Sequence, residues 1–271
     1  MGKNSRIEWT HHTFNPWWGC TKVSEACKHC YAEAWSKRVG QKVWGPKAKR
    51  RFFGENHWSE PIKWNVRAQD EGKRFRVFCA SMADVFEDRR DLDVWREKLW
   101  DLIARTPELD WLLLTKRPEV VNRLAPWKNH WPDNVWLGTT VEDQESAEAR
   151  LSYLAELPAV IRFISAEPLL GPLDVGPWLG STVNWVIAGG ESGPKARAPD
   201  PAWFRSLLRQ CKAAEVPFHF KQWGDWAPAP NGSRRGSKTM DDTTMLRVGK
   251  KAAGRLLDGA MWDGLPNGLA A

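Results

Sequence analysis

Three of the chain's five cysteines fall in one short stretch, "GCTKVSEACKHCYAEAW" at 19–35, of a sequence 271 residues long. Cys20, Cys27 and Cys30 are spaced C-x6-C-x2-C, a pattern open to a disulfide, a zinc site or an iron–sulfur site. The odd cysteine count argues against a pure disulfide framework. The N-terminal segment has no apolar run fit for a signal peptide, and no stretch approaches a membrane span, so the expected setting is the reducing cytoplasm, with no membrane partner. Clustered thiols there bind metal more often than each other. A structural zinc site takes four protein ligands. His29, between Cys27 and Cys30, would complete a Cys3His set, with His11 and His12 further upstream. No second C-x2-C pair occurs, and Cys79 and Cys211 stand alone. Three thiolates without a fourth suit a [4Fe–4S] cluster that keeps one iron open to a small molecule. Both metal chemistries stand at this point.

The other candidate groups lie at the ends of short apolar runs. These runs are "RVFCAS" (76–81), "WLLLTK" (111–116), "VWLGTT" (135–140), "IRFISAE" (161–167), "WVIAGGE" (185–191) and "FHFKQWG" (218–224). They are too short for helices and apolar on successive residues, as strands covered on both faces are. Amphipathic segments separate them: 91–105, 117–125, 142–157 and 200–214, the last with Asp200 as N-cap and Pro201 at the first helical position. Strand followed by helix at least six times predicts a parallel sheet. "TFNPWW", before Cys20, is expected to supply a first strand. The expected fold is α/β, a complete or partial TIM-like βα barrel of six or seven units, with a doubly wound open sheet as the alternative. Such barrels carry their functional groups at the C-terminal ends of the strands. That places the cysteine loop on one rim with Ser81, Asp84, Lys116, Thr139, Glu142, Ser165, Glu167, Gly189, Gly190, Glu191 and Lys221. Each is equally at home capping the helix that follows. Cys79, Lys116 and Lys221 are the candidates to act on a substrate. The Gly189–Gly190 pair would let backbone approach a ligand closely.

No composition shift marks a boundary before about residue 225, so 1–226 is expected to form the barrel. Residues 227–271 would form an irregular extension closed by a short helix. The net charge of +7 suits a polyanionic partner. Basic residues concentrate in "KVWGPKAKRR" (42–51), with looser clusters at 233–238 and 247–251. Lys42, Lys47, Lys49, Arg50 and Arg51 would contact phosphate, and Trp44 and Phe52 would stack on bases. A solvated basic surface would read the same way. Nineteen tryptophans exceed what a core of this size requires.

Cysteines in a loop after the first strand of a βα barrel resemble the radical S-adenosylmethionine (SAM) superfamily. There the commonest spacing is C-x3-C-x2-C, and this chain has six residues in the first gap. More specifically, "NPWWGCTKVSEACKHCYAE", "LLLTKRPE", "GTTVEDQ", "SAEPLLGP", "GGESGPKARAPDPAW", "FKQWG" and "GKKAAGRLLDG" resemble the phage Gp37/Gp68 family of three-cysteine-motif proteins, from about residue 5 to 266. The resemblance implies that Cys20, Cys27 and Cys30 ligate three irons of a [4Fe–4S] cluster while SAM chelates the fourth. It implies that Ser81 and Asp84 of "SMAD" hold the SAM amino group, and that Thr139, Glu142, Ser165 and Glu167 face ribose and adenine. Gly189–Gly190–Glu191 repeats a familiar triplet of that site, after a later strand. The expected activity is reductive cleavage of SAM to a 5′-deoxyadenosyl radical, with an electron donor as partner and a nucleic acid or nucleotide as substrate for base repair or modification. A non-catalytic nucleic-acid- or partner-binding protein with a Cys3His zinc site is the rival. A radical enzyme acting on a small molecule or a protein is the third reading.

Overall fold

The computed structural model describes residues 2–3, 5, 7–229, 237–240 and 243–266. Seven strands follow chain order in one sheet: β1 (His12–Thr13), β2 (Phe75–Cys79), β3 (Leu109–Thr115), β4 (Val135–Thr140), β5 (Ile161–Ala166), β6 (Trp185–Gly189) and β7 (Phe218–Gln222). The strands β1 to β4 pair in parallel with their neighbours, and so do β5 to β7. Helices α1 (Tyr31–Arg38) and α2 (Glu60–Asp70) lie between β1 and β2, α3 (Asp93–Ala104) between β2 and β3, α4 (Gln144–Ala155) between β4 and β5, and α5 (Pro201–Ala213) between β6 and β7. This is the partial TIM-like βα barrel class.

Burial explains why these runs are strands. Every residue of β4 and β6 is buried, which an alternating one-sided strand could not achieve. Helix α5 begins where Asp200 accepts the Ala202 N–H at 2.8 Å, and it buries Phe204, Leu207, Leu208 and Cys211 along one face. Trp17, Trp111 and Trp185 are fully buried, so much of the tryptophan excess is core.

The first strand takes in only the start of "TFNPWW". It lies at His12–Thr13, and Phe14 extends it with an N–H donated to the Phe78 carbonyl at 3.0 Å. Trp17–Trp18 pairs instead with Arg51–Phe52 in an antiparallel ribbon. The segment 117–125 is a 3-10 turn (Pro118–Val120) running into a single helical turn, Val121–Leu124. Helix α2 answers to no sequence expectation.

The stretch beyond 226 is more regular than expected. Trp226–Pro228, Ser237–Met240 and Thr243–Arg247 form a three-stranded antiparallel sheet, and Lys250–Ala253 is the short helix. Most of the basic cluster at 233–238 lies outside the described residues. The chain divides into two compact units, Met1–Thr139 with Tyr153–Val160, and Thr140–Ser152 with Ile161–Ala271. Among the described residues no helix is long and apolar enough to cross a membrane.

One buried imidazole gives this fold a pH dependence. His219 on β7 is 2% exposed, with Asp263 Oδ1 3.7 Å from its Nδ1. Burial and then the Arg255 charge lower its pKa from 6.5 to about 4, against the opposing pull of Asp263. Below pH 6.5 the unfolded chain therefore takes up a proton that the native state refuses. The stabilisation is complete above that pH and is lost as pH falls, by up to about 3 kcal/mol near pH 4. Urea unfolding between pH 7 and pH 4 should show a shallower loss of stability for His219→Phe than for the wild type.

Candidate functional site

In the first unit the cysteine loop is fastened beyond the end of β2. Gly19 donates its N–H to the Met82 carbonyl at 3.0 Å. Its φ is +117°, and a Cβ there would lie 2.3 Å from the Val43 carbonyl oxygen, so the position admits only glycine. Cys27 closes the 3-10 turn Glu25–Cys27, and Cys30 is the N-cap residue of α1. Cys20, Cys27 and Cys30 are all free thiols and half-buried.

A buried ion pair braces this loop from behind. The Arg50 side chain is 0% exposed and the Glu87 side chain 4%. Arg50 donates from Nε and Nη2 to the two Glu87 oxygens at 3.0 and 2.6 Å. Its remaining N–H groups reach the carbonyls of Val43, Gly45 and Ala48 and the hydroxyl of Thr21.

A second network approaches from the front. Arg117, just past β3, donates to Asp84 Oδ2 at 2.7 Å and to the Thr21 carbonyl at 2.7 Å, and its Nη1 lies 3.8 Å from the Cys20 sulfur. The Asp84 oxygens also meet the Thr115 hydroxyl and the N–H groups of Lys116 and Phe86. Burial and the Asp84 charge push the Cys20 thiol up to about 12, with Arg117 opposing them. At Cys27 burial is outweighed by the Lys116 charge and by backbone hydrogen bonds from Val23 and Ser24, so its pKa is lowered. Burial raises Cys30, against Lys116 and the backbone of Glu33 and Ala32.

The donor set is thus three free thiols on one braced loop, with the Arg117 guanidinium 3.8 Å from the Cys20 sulfur. That chemistry fits an anionic cluster held by thiolates. Among the described residues no three His, Cys, Asp or Glu side chains are drawn together around a point where a metal ion could sit.

The structure spends several predicted residues on other tasks. Asp84 is saturated by the partners just named, and the Ser81 hydroxyl of "SMAD" is paired with the Asn15 amide, accepting from its nitrogen at 3.1 Å and donating to its oxygen at 3.4 Å. Thr139 is buried and donates to the Thr115 carbonyl at 3.0 Å. Cys79 is fully buried and burial pushes its thiol up, so it packs as a small hydrophobe rather than facing a substrate. Arg50 cannot reach phosphate, because Glu87 and the backbone take its whole guanidinium. Lys42, Lys47, Lys49 and Arg51 are exposed and Trp44 is half-buried. The Arg51 guanidinium lies over Trp18 at 4.7 Å and Phe53 at 5.4 Å. Phe52 stacks on Trp95 at 4.4 Å.

In the second unit, Glu167 receives Lys221 Nζ at 2.7 and 2.8 Å and the Gln222 amide at 3.1 Å. Burial works to raise the Glu167 pKa, and Lys221 more than offsets it, so the carboxyl is held low. Glu191 takes a bidentate Arg197, and the buried Glu142 takes Arg150. Ser165 is buried and its carbonyl accepts the Val141 N–H at 3.1 Å. The glycine pair serves the fold. A Cβ on Gly190 would sit 1.9 Å from the Trp223 carbonyl oxygen, so the close approach is to chain rather than to a ligand, and Gly189 has Gln222 and Glu167 at 3.4 Å. Sequence reasoning missed Arg117, Arg150 and Arg197. The signal available for Arg117 was its place two residues past the strand "WLLLT".

The family model described as "Protein of unknown function (DUF5131)" matches residues 4–266, and the chain belongs to that family. No curated protein matches the sequence. Among solved structures the chain is similar to a spore photoproduct lyase mutant, at TM-score 0.48 and 11% identity over 90% of this chain and 70% of that one. It is similar also to another mutant with bound AdoMet and dinucleoside spore photoproduct, at TM-score 0.44 and 12% identity, covering 92% and 72%.

Removing one partner of the buried pair strands the other's charge. Arg50→Ala should lower stability by about 3–5 kcal/mol. A urea titration monitored by tryptophan fluorescence reads this directly, and Arg51→Ala, at an exposed site, serves as the control.

Proposed function

We propose that the chain is a radical SAM-type enzyme in which Cys20, Cys27 and Cys30 hold a [4Fe–4S] cluster with one iron open to SAM. The observation that carries the reading is the position of three free, half-buried cysteines on a loop fixed past the C-terminal end of β2, with Lys116 and Arg117 past the end of β3 acting on them. When bound, the cluster and SAM supply a one-electron cleavage that yields a 5′-deoxyadenosyl radical for hydrogen abstraction. The chain's own part is to bind, orient and shield. The Arg50–Glu87 brace and Arg117 fix the cysteine loop, and Ser81 would meet a polar group of the cofactor by giving up its bonds to Asn15. In the second unit, Glu167 and Lys221 pair at the ends of β5 and β7. Thr139 and Glu142 have buried partners and act through the fold.

The substrate class in this reading is a nucleic acid or nucleotide, modified or repaired at a base. Support comes from the net charge of +7 and from the exposed Lys42, Lys47, Lys49 and Arg51 in one segment, with Arg51 lying on aromatic rings. The resemblance to the phage Gp37/Gp68 family points the same way.

Protein purified without oxygen should be brown and carry about four iron and four sulfide per chain. Alanine at Cys20, Cys27 or Cys30 should remove the iron, whereas Cys79→Ala and Cys211→Ala should keep it. Stoichiometric zinc in a colourless protein would overturn the reading in favour of a Cys3His site with His29.

The basic segment has its own test. Replacing Lys42, Lys47 and Lys49 together by alanine should flatten the slope of log affinity against log salt by roughly 2 to 3 units for duplex DNA, at about 0.9 per phosphate contact. Anisotropy titrations over a salt series measure it. A slope indifferent to the triple change would return the segment to solvated surface.

A further inference from the structure

We infer that Arg117 is a positioning residue for the proposed cluster: its guanidinium anchors the Cys20–Thr21 turn and fixes a positive charge beside the Cys20 sulfur that favours the reduced state. The inference rests on the cluster reading and goes beyond it, because neither the cysteine spacing nor the barrel class singles out this arginine.

The geometry leaves Arg117 little freedom. Its backbone N–H donates to the Thr115 hydroxyl at 2.9 Å, and that hydroxyl lies 2.9 and 3.0 Å from the Asp84 oxygens. Asp84 in turn holds Nη1 at 2.7 Å, while Nη2 grips the Thr21 carbonyl at 2.7 Å. The same Nη1 lies 3.8 Å from the Cys20 sulfur. Groups past β2, past β3 and on the cysteine loop are thereby joined through one side chain. Arginine suits this task because its planar fork serves several acceptors at once and never loses its proton.

The charge argument follows from what reduction does. An added electron increases the negative charge of a group already ligated by thiolates. A cation a few ångströms away, in a half-buried site, stabilises the more negative state. Asp84 acts in the opposite sense, so the two members of the pair should shift the potential in opposite directions.

The test uses full-length protein reconstituted with iron and sulfide under anaerobic conditions, without SAM. Arg117→Met, Arg117→Lys and Asp84→Asn are compared with wild type. Iron per chain, circular dichroism melts and the reduced fraction at poised potentials, read by electron paramagnetic resonance, are recorded for each. Arg117→Met should lower the reduced-to-oxidised ratio at a fixed potential about tenfold, a shift of roughly 59 mV to the negative for one electron. Arg117→Lys should recover most of that shift, and Asp84→Asn should move the potential to the positive. A loaded Arg117→Met protein with the wild-type potential would overturn the inference, and so would equal iron loss in both arginine variants without any shift. Should Arg117→Met fail to fold, the Lys and Asp84→Asn variants still decide: wild-type potentials in both overturn the inference, and a positive shift in Asp84→Asn supports it. If the wild type takes up no iron, the cluster reading itself falls.

Discussion

A guanidinium taken out of water must have its N–H groups matched, and the brace behind the cysteine loop follows from that demand. Arg50 finds its acceptors in Glu87, in the carbonyls of Val43, Gly45 and Ala48, and in Thr21. None of those segments has a ladder of hydrogen bonds of its own. They are irregular chain, held in one conformation because a single buried cation needs all of them where they are. Lysine could not do this, having a point charge and three donors instead of a fork of five. An irregular loop that is held in place by such a brace loses less entropy on binding a ligand than a free one would.

Much of the fold was legible because parallel strands covered on both faces leave a plain trace. Runs such as "VWLGTT" and "WVIAGG" are apolar on consecutive residues, and no helix of that length could bury all of them. The trace fails where an element is too short to carry a pattern. Residues His12–Thr13 form two bridges to Val77 and Phe78, and that register depends on β2 rather than on their own types. Helix α2 escaped notice because its buried face, Pro61, Trp64 and Ala68, mixes a turn residue, an aromatic and a small residue in a strongly polar segment.

The site was legible in its sulfur and its acids but not in their partners. Charge pairing is set by folding, and sequence distance does not reveal it. Glu191 meets Arg197 six residues on, Glu142 meets Arg150 eight residues on, Glu167 meets Lys221 from 54 residues away and Asp84 meets Arg117 from 33. The same blindness made Arg50 look like part of a basic surface. It shares the run "KAKRR" with exposed neighbours, and only the presence of Glu87 distinguishes it.

Those four pairs also constrain what chemistry the strand ends can perform. A buried carboxylate left alone would take a proton or cost stability, and each of these acids has instead been given a cation within its own unit. A carboxylate held ionised by a neighbouring cation is a weak base, and it has no proton to give as an acid. Glu167 illustrates this, with Lys221 holding its pKa low despite burial. General acid–base catalysis works best near the operating pH, so Glu167, committed in this way, contributes shape and charge balance rather than proton transfer. The three half-buried cysteines of the first unit are free thiols, and Arg117 Nη1 lies 3.8 Å from the Cys20 sulfur. That asymmetry between committed acids and free sulfur is what the proposed reading rests on, and it sets that reading apart from one in which the strand-end acids run the reaction themselves.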